Sequence, residues 1–418
     1  MMVQNQYDII IVGAGVAGTT CALALQRAGY QVLLIDRRTS IDEYKKLCTH
    51  FIQPFAVPIL HRLGLHALLS ERHSVKTKAA FLVPGGVIDP PGGYGPDDQE
   101  QSAFAYNLER RVMDPWLRQE AVAAGVSVSM VTALTDLETS ADGYQVRLVV
   151  QRYPVTVNCR LLIAADGRES RLAKLLSAPQ KLFINERMAF FCYAKGIAVP
   201  TQQRSLFSLR DQEMSFLYPL IHERTLLSVY IQKDRADSWA LAENEFSALV
   251  ALFQQHMPQL DFSQATPDSP MLGYKKYDNQ IRPAVNQGVP FIGDASVSID
   301  PMSGVGCGFA LQAADFLARS IIAQGINSAS DRNQALAQFA SEHGAFFSAH
   351  IDGIVADSRV NKNAQSMLNT YRVILNDEHL QRSYLDLTGR LITPAKFQRD
   401  YLKAIARQRS QPVPVQEA

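Results

Sequence analysis

Three glycines near the start of the chain stand at a spacing that can hold a phosphate group. Gly13, Gly15 and Gly18 follow the pattern G-x-G-x-x-G. In a dinucleotide site the first glycine permits a tight turn, the second lets a pyrophosphate approach the backbone, and the third lets a helix pack closely on a strand. Asp36 follows about twenty residues later, where a carboxylate can accept hydrogen bonds from a ribose. The pattern therefore predicts a dinucleotide site.

The flanking segments supply the elements that such a site requires. Residues 9–12 form an apolar β-branched run typical of a buried strand, and residues 17–28 follow helical periodicity before a second short strand. The helix N-terminus presents free N–H groups and a positive dipole end to phosphates. Asp36 disfavours a 2′-phosphate and so favours FAD or NAD, whereas the two arginines that follow, beginning with Arg37, leave NADP open. An ordinary strand–helix–strand unit with a glycine-rich turn is the alternative.

Two further corners combine aspartate with glycine. Residues 161–165 predict a buried strand that runs into Asp166 and Gly167. Residues 289–292 predict another strand, which is followed by Asp294 and by the segment DPMSGVGCG before a long helix over residues 309–323. Open α/β sheets bind ligands at the carboxyl ends of their parallel strands. An aspartate there can hold a polyol hydroxyl, and a glycine-rich helix N-terminus can lie against a flat ligand.

The composition is that of a globular protein without a bias toward a polymeric partner. The 418 residues carry a net charge of +1 without a basic cluster or an acidic tail, so neither nucleic acid nor an anionic membrane is expected. Five scattered cysteines without a C-x-x-C pair predict neither a disulfide framework nor a metal site. We expect no membrane span and no signal peptide, and therefore a cytoplasmic protein. The expected oligomeric state is a monomer or a homodimer.

The rest of the chain predicts a second domain and a helical end. Alternating strands, followed by a helix over residues 241–255, indicate an antiparallel sheet inserted into the first domain. These strands are predicted over residues 188–197, 205–209, 214–219 and 225–232. Elsewhere we predict a helix over residues 47–69, strands over 77–88, a Pro/Gly-rich surface turn or flap over 89–98, a helix over 107–124, and helices over 331–418.

The predicted fold class is α/β, a Rossmann-like dinucleotide-binding domain with an inserted antiparallel sheet and a C-terminal helical segment. The inserted sheet has one face free to cover a substrate. The predicted boundaries are 1–75, 105–180 and 285–335 for the cofactor domain, 76–104 and 181–284 for the sheet domain, and 336–418 for the helical region.

Three motifs in order, with a sheet domain between the second and the third, resemble the FAD-dependent group A monooxygenases, the family of p-hydroxybenzoate hydroxylase. The motifs are GAGVAG at residues 13–18, ADGRES at residues 165–170 and GDAS…DPMSGVG at residues 293–306, and the match covers roughly residues 5–325. The resemblance implies the fold of p-hydroxybenzoate hydroxylase, with FAD as cofactor and NAD(P)H as co-substrate.

The resemblance also implies a role for individual residues along an extended FAD. The ADP half is assigned to Gly13, Gly15, Gly18 and Asp36, with Arg37 counted among the cofactor-binding residues. The pyrophosphate is assigned to Asp166 and Gly167, the ribityl chain to Asp294, and a flavin or phosphate contact to Arg110. The isoalloxazine is assigned to Pro301, Gly304, Val305 and Gly306.

The activity implied by the resemblance is oxygenation of a small organic substrate, aromatic or of natural-product type. NAD(P)H would reduce FAD, and O2 would then form a C4a-hydroperoxyflavin that passes one oxygen atom to the substrate under the inserted sheet. The family needs few protein acids or bases, so no catalytic base is assigned. The candidate pocket residues are His50, Tyr193 and Tyr218.

Three other kinds of protein use the same scaffold. A flavin-dependent halogenase is expected to show a W-x-W-x-I-P stretch, which Trp116 and Trp239 do not form. A geranylgeranyl-reductase-like enzyme would share the DPMSGVG segment, but MSFLYP at residues 214–219 is only a faint echo of its Y-x-W-x-F-P motif. A flavin-less carrier like the Rab escort and GDI proteins is the non-enzymatic alternative, which the intact ribose, pyrophosphate and ribityl motifs disfavour.

Overall fold

The computed structural model describes residues 3–48, 50–95, 103–140, 142–199, 203–210, 212–235 and 245–410. Residues 96–98 of the predicted flap, Trp239, residues 241–244 of a predicted helix and the tail 411–418 lie outside the described residues. The helices within these ranges are α1 (Val16–Arg27), α2 (Val57–Arg62), α3 (Arg110–Ala123), α4 (Arg171–Leu175), α5 (Glu245–His256), α6 (Gly306–Gln324), α7 (Ala329–Asp357), α8 (Ala364–Leu375), α9 (Glu378–Thr388) and α10 (Pro394–Ser410). None of them combines the length and the apolar character needed to cross a membrane.

The strands of the described chain fall into two large sheets and two small ones. In chain order they are β1 (Gln6–Val12), β2 (Val32–Ile35), β3 (Phe51–Ile52), β4 (Ser74–Val83), β5 (Gly86–Ile88), β6 (Ala105–Leu108), β7 (Ser127–Ser129), β8 (Thr132–Ser140), β9 (Gly143–Val150), β10 (Tyr153–Ala164), β11 (Lys181–Phe183), β12 (Arg187–Lys195), β13 (Arg204–Arg210), β14 (Glu213–Pro219), β15 (Thr225–Gln232), β16 (Thr266–Pro267), β17 (Leu272–Tyr274), β18 (Asn279–Ile281), β19 (Val285–Asn286), β20 (Val289–Pro290) and β21 (Val297–Ser298).

The first sheet is parallel on one side and antiparallel on the other. Its order is β7–β2–β1–β10–β9–β8, in which β7, β2, β1 and β10 run parallel and the last three strands alternate in direction. Strand β1 is apolar on both faces: Ile9 and Ile11 pack in one cluster with α1 and α6, and Ile10 and Val12 pack in another. Burial on both sides is typical of a parallel strand between two layers.

Backbone hydrogen bonds join the ends of neighbouring strands at one edge of this sheet. The Gly13 N–H donates to the Ile35 carbonyl and the Ala165 N–H donates to the Val12 carbonyl, each over 2.8 Å. The Ile292 N–H donates to the carbonyl that precedes Ala165 over 2.9 Å. Because parallel strands end at the same edge, the turns that follow them converge there. The three predicted glycine–aspartate corners are therefore neighbours in space.

The second sheet is the predicted inserted sheet, enlarged by strands from elsewhere. Its order is β16–β12–β15–β14–β13–β4–β6–β3, with β17 beside β12 and β5 beside β4. Strands β12 to β15 pair antiparallel as predicted, whereas β13 and β4 run parallel. One face packs with the C-terminal helices through an aromatic cluster that includes Phe207, Phe216 and Tyr371. The boundaries of the domains stay a prediction.

The predicted helix over residues 47–69 is wrong over most of its length. The structure has β3, one short 3₁₀ turn, the six-residue helix α2 and a second 3₁₀ turn in this region. Pro54 and Pro58 lack the N–H that a continuing helix needs, and β3 pairs with β6, more than fifty residues further on. The same pairing shortens the helix predicted over 107–124, which begins only at Arg110.

Two buried histidines on α7 should make stability depend on pH. Burial lowers the pKa of His343 and of His350 to about 4, whereas an unfolded histidine titrates near pH 6.5. Between these values the unfolded chain binds protons that the native chain does not, so stability is full above pH 6.5 and falls as the pH drops toward 4. For His343 alone we expect a loss of about 2 kcal/mol between pH 7 and pH 5. Urea unfolding at both pH values should show a smaller loss for His343→Gln, and an equal loss would contradict the buried neutral state.

Candidate functional site

One large cavity runs along the edge where the parallel strands end. Its volume is about 1110 Å³, whereas small-molecule pockets usually measure about 300–1,000 Å³. Its wall contains most of the residues predicted from the sequence, namely Gly13, Gly15, Asp36, Arg37, His50, Arg110, Asp166, Gly167, Asp294, Pro301, Gly304 and Gly306. The structure thus brings the three corners together around one elongated space.

The glycine-rich corner is closed on the protein side and open on the cavity side. A Cβ at Gly13 would lie 2.2 Å from the Ala165 carbonyl oxygen, and one at Gly18 would lie 1.9 Å from the Gly13 carbonyl oxygen. At Gly15, by contrast, no heavy atom of the described chain lies within 4 Å of the Cβ position. Helix α1 begins at Val16 with no side-chain cap among the described residues. Its first N–H groups are therefore free to bind an anion.

Asp36 closes the same corner from the end of β2. Its Oδ2 accepts a hydrogen bond from the Ala14 N–H over 2.7 Å, and its Oδ1 accepts one from the Arg38 N–H over 2.9 Å. Arg118, which the sequence did not single out, is fully buried and donates to the carbonyl oxygens of Ala14 and Ile41 over 2.9 and 2.7 Å. Because its partners are backbone groups, no motif marks it. It fastens the glycine-rich turn to the loop after β2.

Asp166 has one carboxylate oxygen that is engaged and one that is not. Oδ2 accepts hydrogen bonds from the N–H groups of Arg171 and Leu172 over 2.6 and 3.1 Å, at the start of α4. Oδ1 is buried and has no hydrogen-bond partner within the described ranges. Burial raises the pKa of Asp166, although these hydrogen bonds oppose the shift. An unpaired buried acceptor costs about 1–3 kcal/mol, so this oxygen is an acceptor that the described chain leaves unsatisfied beside the cavity.

Asp294 lies opposite a lysine that the sequence did not identify as a site residue. The Lys45 Nζ is 2.9 Å from the Asp294 Oδ2, and both side chains line the cavity. Asp294 raises the pKa of Lys45, although burial opposes this shift. Lys45 belongs to a polar loop over residues 37–46, which also contains Lys46, and nothing in the spacing of the two lysines marks either as a site residue. The pair brings a cation and an acceptor to the middle of the cavity.

The far end of the cavity is built by the turn before α6. The Asp300 Oδ1 accepts a hydrogen bond from the Met302 N–H over 3.1 Å, and Gly304 adopts a left-handed conformation with φ +65°. Helix α6 begins at Gly306, three residues before its predicted start, and no side chain of the described chain caps it. Its positive end is therefore available to a negatively charged or flat polar ligand. Val305 lies just outside the cavity wall as the residue that precedes the helix.

Arg110 faces the same end of the cavity in a fixed orientation. Its guanidinium forms a bidentate pair with Asp114, with Nε–Oδ1 at 2.6 Å and Nη2–Oδ2 at 2.9 Å. Both side chains are buried. The third nitrogen, Nη1, is 3.7 Å from the Cys307 Sγ. The variant helix motif R-x-x-M-D therefore holds the Arg110 guanidinium in place, because its partner Asp114 lies one turn further along α3.

The second sheet covers this end of the cavity, as expected from the sequence. Phe191 on β12, Tyr230 on β15 and Tyr274 on β17 belong to the cavity wall. Aromatic side chains at these positions make an apolar cover, and such a cover keeps water away from a ligand beneath it.

The three candidate pocket residues occupy different places. His50 lines the cavity, and its Nδ1 accepts the Arg110 N–H over 3.0 Å. Its Nε2 contacts the Tyr193 hydroxyl behind the wall. Tyr218 is only 1% exposed and stacks on Phe216, so it is a core residue and not a pocket residue.

Two thiols lie close together in the wall, a feature that the scattered cysteines did not predict. Cys48 and Cys307 are separated by 259 positions in the chain, yet their Sγ atoms are 4.0 Å apart. Both line the cavity. The His50 N–H donates to the Cys48 Sγ over 3.4 Å.

The cavity fits FAD at each point along its length. The open side of Gly15 and the free N-terminus of α1 suit the pyrophosphate, and Asp36, Asp166 and Asp294 offer acceptors to hydroxyl groups. The uncapped start of α6 and the aromatic cover suit the ring. The described residues hold no cluster of three or more side chains that could bind a metal ion.

Known proteins agree with this assignment. The family model for the FAD binding domain matches residues 6–350. The digeranylgeranylglycerophospholipid reductase of Methanocaldococcus jannaschii is 23% identical over 318 residues, which are 72% of this chain and 73% of that protein. The flavin-dependent brominase Bmp2 superposes with a TM-score of 0.76 at 18% identity, covering 97% of this chain and 100% of that one.

The OxyS anhydrotetracycline hydroxylase from Streptomyces rimosus superposes with a TM-score of 0.70 at 18% identity, covering 92% of this chain and 76% of that one. These solved structures have the same fold as this chain. The match to the family model extends over most of the chain and identifies its family. The chain therefore belongs to the FAD binding domain family, as a FAD-dependent oxidoreductase related to the group A flavoprotein monooxygenases.

Proposed function

We propose that this protein is a FAD-dependent reductase that saturates a carbon–carbon double bond in an apolar, isoprenoid-like substrate. Oxygenation, the first expectation from the sequence, becomes the second candidate. The reductase proposal is supported by the name of the archaeal relative, which aligns over 72% of this chain. The aromatic cover over one end of the cavity also suits an apolar substrate.

The thiol pair in the cavity wall is the observation that carries the proposal. An enzyme that activates O2 beside Cys48 and Cys307 would expose both sulfurs to peroxide-level oxidants, which convert thiols to sulfenic and higher acids. A reductase does not need O2. Reduction of a double bond also needs a proton besides a hydride, and a thiol in the wall is an acid that can supply it.

The electrostatic surroundings of the pair fit this role. The hydrogen bond from Cys307, together with the His50 side chain and the Arg110 guanidinium, lowers the pKa of Cys48, although burial opposes this shift. The hydrogen bond with Cys48 and burial raise the pKa of Cys307.

The chain would bind and orient the cofactor through its own backbone and side chains. FAD, when bound, supplies two-electron transfer to or from a substrate. The N-terminus of α1 would bind the pyrophosphate, and Asp294 would accept a hydrogen bond from the ribityl chain. The N-terminus of α6 would favour a negatively charged ring by about 0.3–2 kcal/mol. NAD(P)H as the electron source stays a prediction.

Replacing Lys45 by methionine should weaken FAD binding about tenfold. A charge-assisted hydrogen bond to a phosphate or hydroxyl contributes about 1.5–3 kcal/mol. We expect the lower end of this range because Lys45 is partly exposed. Quenching of flavin fluorescence during titration of the apoprotein measures the affinity. Lys46→Met is the matched control, since Lys46 is exposed and lies outside the cavity wall. Equal affinities for the two variants would remove Lys45 from the site.

The second candidate is the FAD-dependent monooxygenase that uses NAD(P)H and O2. Strand β14 carries MSFLYP in place of the aromatic motif that is typical of geranylgeranyl reductases. This difference favours the monooxygenase. The aromatic cover of the cavity would serve this function too, because oxygen transfer needs a site that excludes water.

An anaerobic turnover experiment separates the two candidates. The holoenzyme is reduced with dithionite under argon and mixed with geranylgeraniol, or with the saturated alcohol phytanol as the matched control. A reductase should reoxidise its flavin only with geranylgeraniol and yield a product that has gained two hydrogen atoms. If the flavin reoxidises only when air enters and the product has gained an oxygen atom, the reductase proposal is wrong.

A further inference from the structure

The pair of thiols in the cavity wall has a second chemical property besides the acidity used above, namely that it can be oxidised. Cys48 and Cys307 both line the cavity, and their Sγ atoms are 4.0 Å apart. The other three cysteines, Cys21, Cys159 and Cys192, are buried outside the cavity wall. All five are free thiols in this structure. A small solute that enters the cavity therefore meets two of the five sulfurs.

We infer that Cys48 and Cys307 are a thiol-oxidation site, at which an oxidant of the peroxide class produces an intramolecular disulfide. The site does not depend on the identity of the substrate, because it uses only groups of this chain and a small oxidant. It goes beyond the proposed reductase function and can be tested without any turnover.

The oxidation proceeds in two steps. The Cys48 thiolate attacks one oxygen of hydrogen peroxide, the O–O bond breaks, and the leaving hydroxide is protonated to water, which leaves a sulfenic acid on Cys48. The Cys307 sulfur then attacks that sulfur, the S–S bond forms, and the S–O bond breaks. The departing hydroxide takes the Cys307 proton and becomes the second water. The two thiols lose two electrons and two protons.

The surroundings of the pair favour the first step. The His50 backbone N–H donates to the Cys48 Sγ over 3.4 Å, and the Cys307 thiol lies 4.0 Å away as a second donor. Hydrogen-bond donors next to a sulfur stabilise the thiolate, which is the reactive form. The Arg110 Nη1, 3.7 Å from the Cys307 Sγ, adds a positive charge beside the pair.

The second step requires the backbone beside one of the two thiols to move. A disulfide requires the sulfurs to approach to about 2.05 Å, so the present separation must shorten by about half. Cys307 is held on a long helix, whereas Cys48 lies in an irregular segment between β2 and β3. The movement would therefore fall on the segment that also carries Lys45. The closed bond would fasten this segment to α6 and remove both thiols from the cavity wall.

Peptide mapping after mild oxidation tests the inference. Apoprotein and holoprotein are treated with low concentrations of hydrogen peroxide, quenched with an alkylating agent, and digested. We expect the number of free thiols to fall from five to three, with a cross-linked peptide that joins Cys48 to Cys307. The matched control is Cys192→Ser, which should still lose two thiols, whereas Cys48→Ser and Cys307→Ser should form no such cross-link.

Two outcomes would overturn the inference. One is oxidation of Cys48 to sulfinic acid without any cross-link to Cys307, and the other is protection of both thiols under conditions that oxidise the buried cysteines. Since the wild-type protein alone gives either result, the test does not depend on the folding of the variants. A protein that fails to reduce geranylgeraniol can still pass it, so the two proposals stand or fall separately.

Discussion

Gly15→Asp should yield a folded protein that no longer retains FAD. Gly15 precedes the first residue of α1 and has extended backbone angles, with φ −81° and ψ −173°. Aspartate is favoured at this position because its carboxylate accepts the free N–H groups of the first turn. No heavy atom of the described residues would clash with the new Cβ. The carboxylate would then occupy the place of the pyrophosphate and repel it, and we expect at least a 100-fold loss of affinity, about 2.8 kcal/mol or more.

Equilibrium titration with FAD and thermal unfolding of the apoprotein measure the two halves of this prediction. Gly344→Ala is the matched control: Gly344 lies within α7 with open space at its Cβ position. That change should leave FAD binding intact and stabilise the helix by about 0.5–1 kcal/mol. A Gly15→Asp protein that still purifies with stoichiometric FAD would show that the pyrophosphate lies elsewhere.

Arg187→Met should cost about 3–5 kcal/mol of unfolding free energy, because it leaves a buried charge without its partner. Arg187 begins β12 and is only 2% exposed. Its Nη1 is 3.0 Å from the Asp300 Oδ2, and its Nη2 is 3.1 Å from the Asp357 Oδ2. Burial raises the pKa of Asp300 even with Arg187 beside it. The arginine thus joins the second sheet to the turn before α6 and to the end of α7.

Urea unfolding of the apoprotein measures this loss without interference from the cofactor. Arg147→Met is the matched control, since Arg147 pairs with Asp136 at 3.1 Å on the surface, where both side chains are about half exposed. Exposed pairs contribute about 0–1 kcal/mol. Similar losses for the two variants would mean that the buried network contributes little to the fold.

The parts of the site that follow strand ends could be predicted from the sequence. Gly13 and Asp166 follow apolar runs that form neighbouring parallel strands, whose ends share an edge. The run before Asp294 reaches the same edge through a single parallel bridge between Phe291 and Ala164. The positions of these residues therefore follow from local patterns and one topological rule. The presence of a cover from the second sheet could be predicted, because apolar and polar residues alternate along its strands.

Other parts of the site depend on contacts between distant segments. Lys45 and Arg118 act through an aspartate and backbone carbonyls that lie far away in the chain, so neither belongs to a motif. Cys48 and Cys307 become a pair only when the loop after β2 meets α6. The false helix over residues 47–69 has the same origin, since its apolar spacing suits a helix while β3 finds its partner in β6.

A crystal structure of the purified protein with FAD tests whether the three corners bind one cofactor. We expect one FAD along the edge of the first sheet, with its pyrophosphate at the N-terminus of α1 beside Gly15. The ring should lie between the start of α6 and the aromatic residues Phe191 and Tyr230. A FAD whose pyrophosphate lies away from Gly15, or whose ring lies outside the space beneath the second sheet, would contradict this expectation.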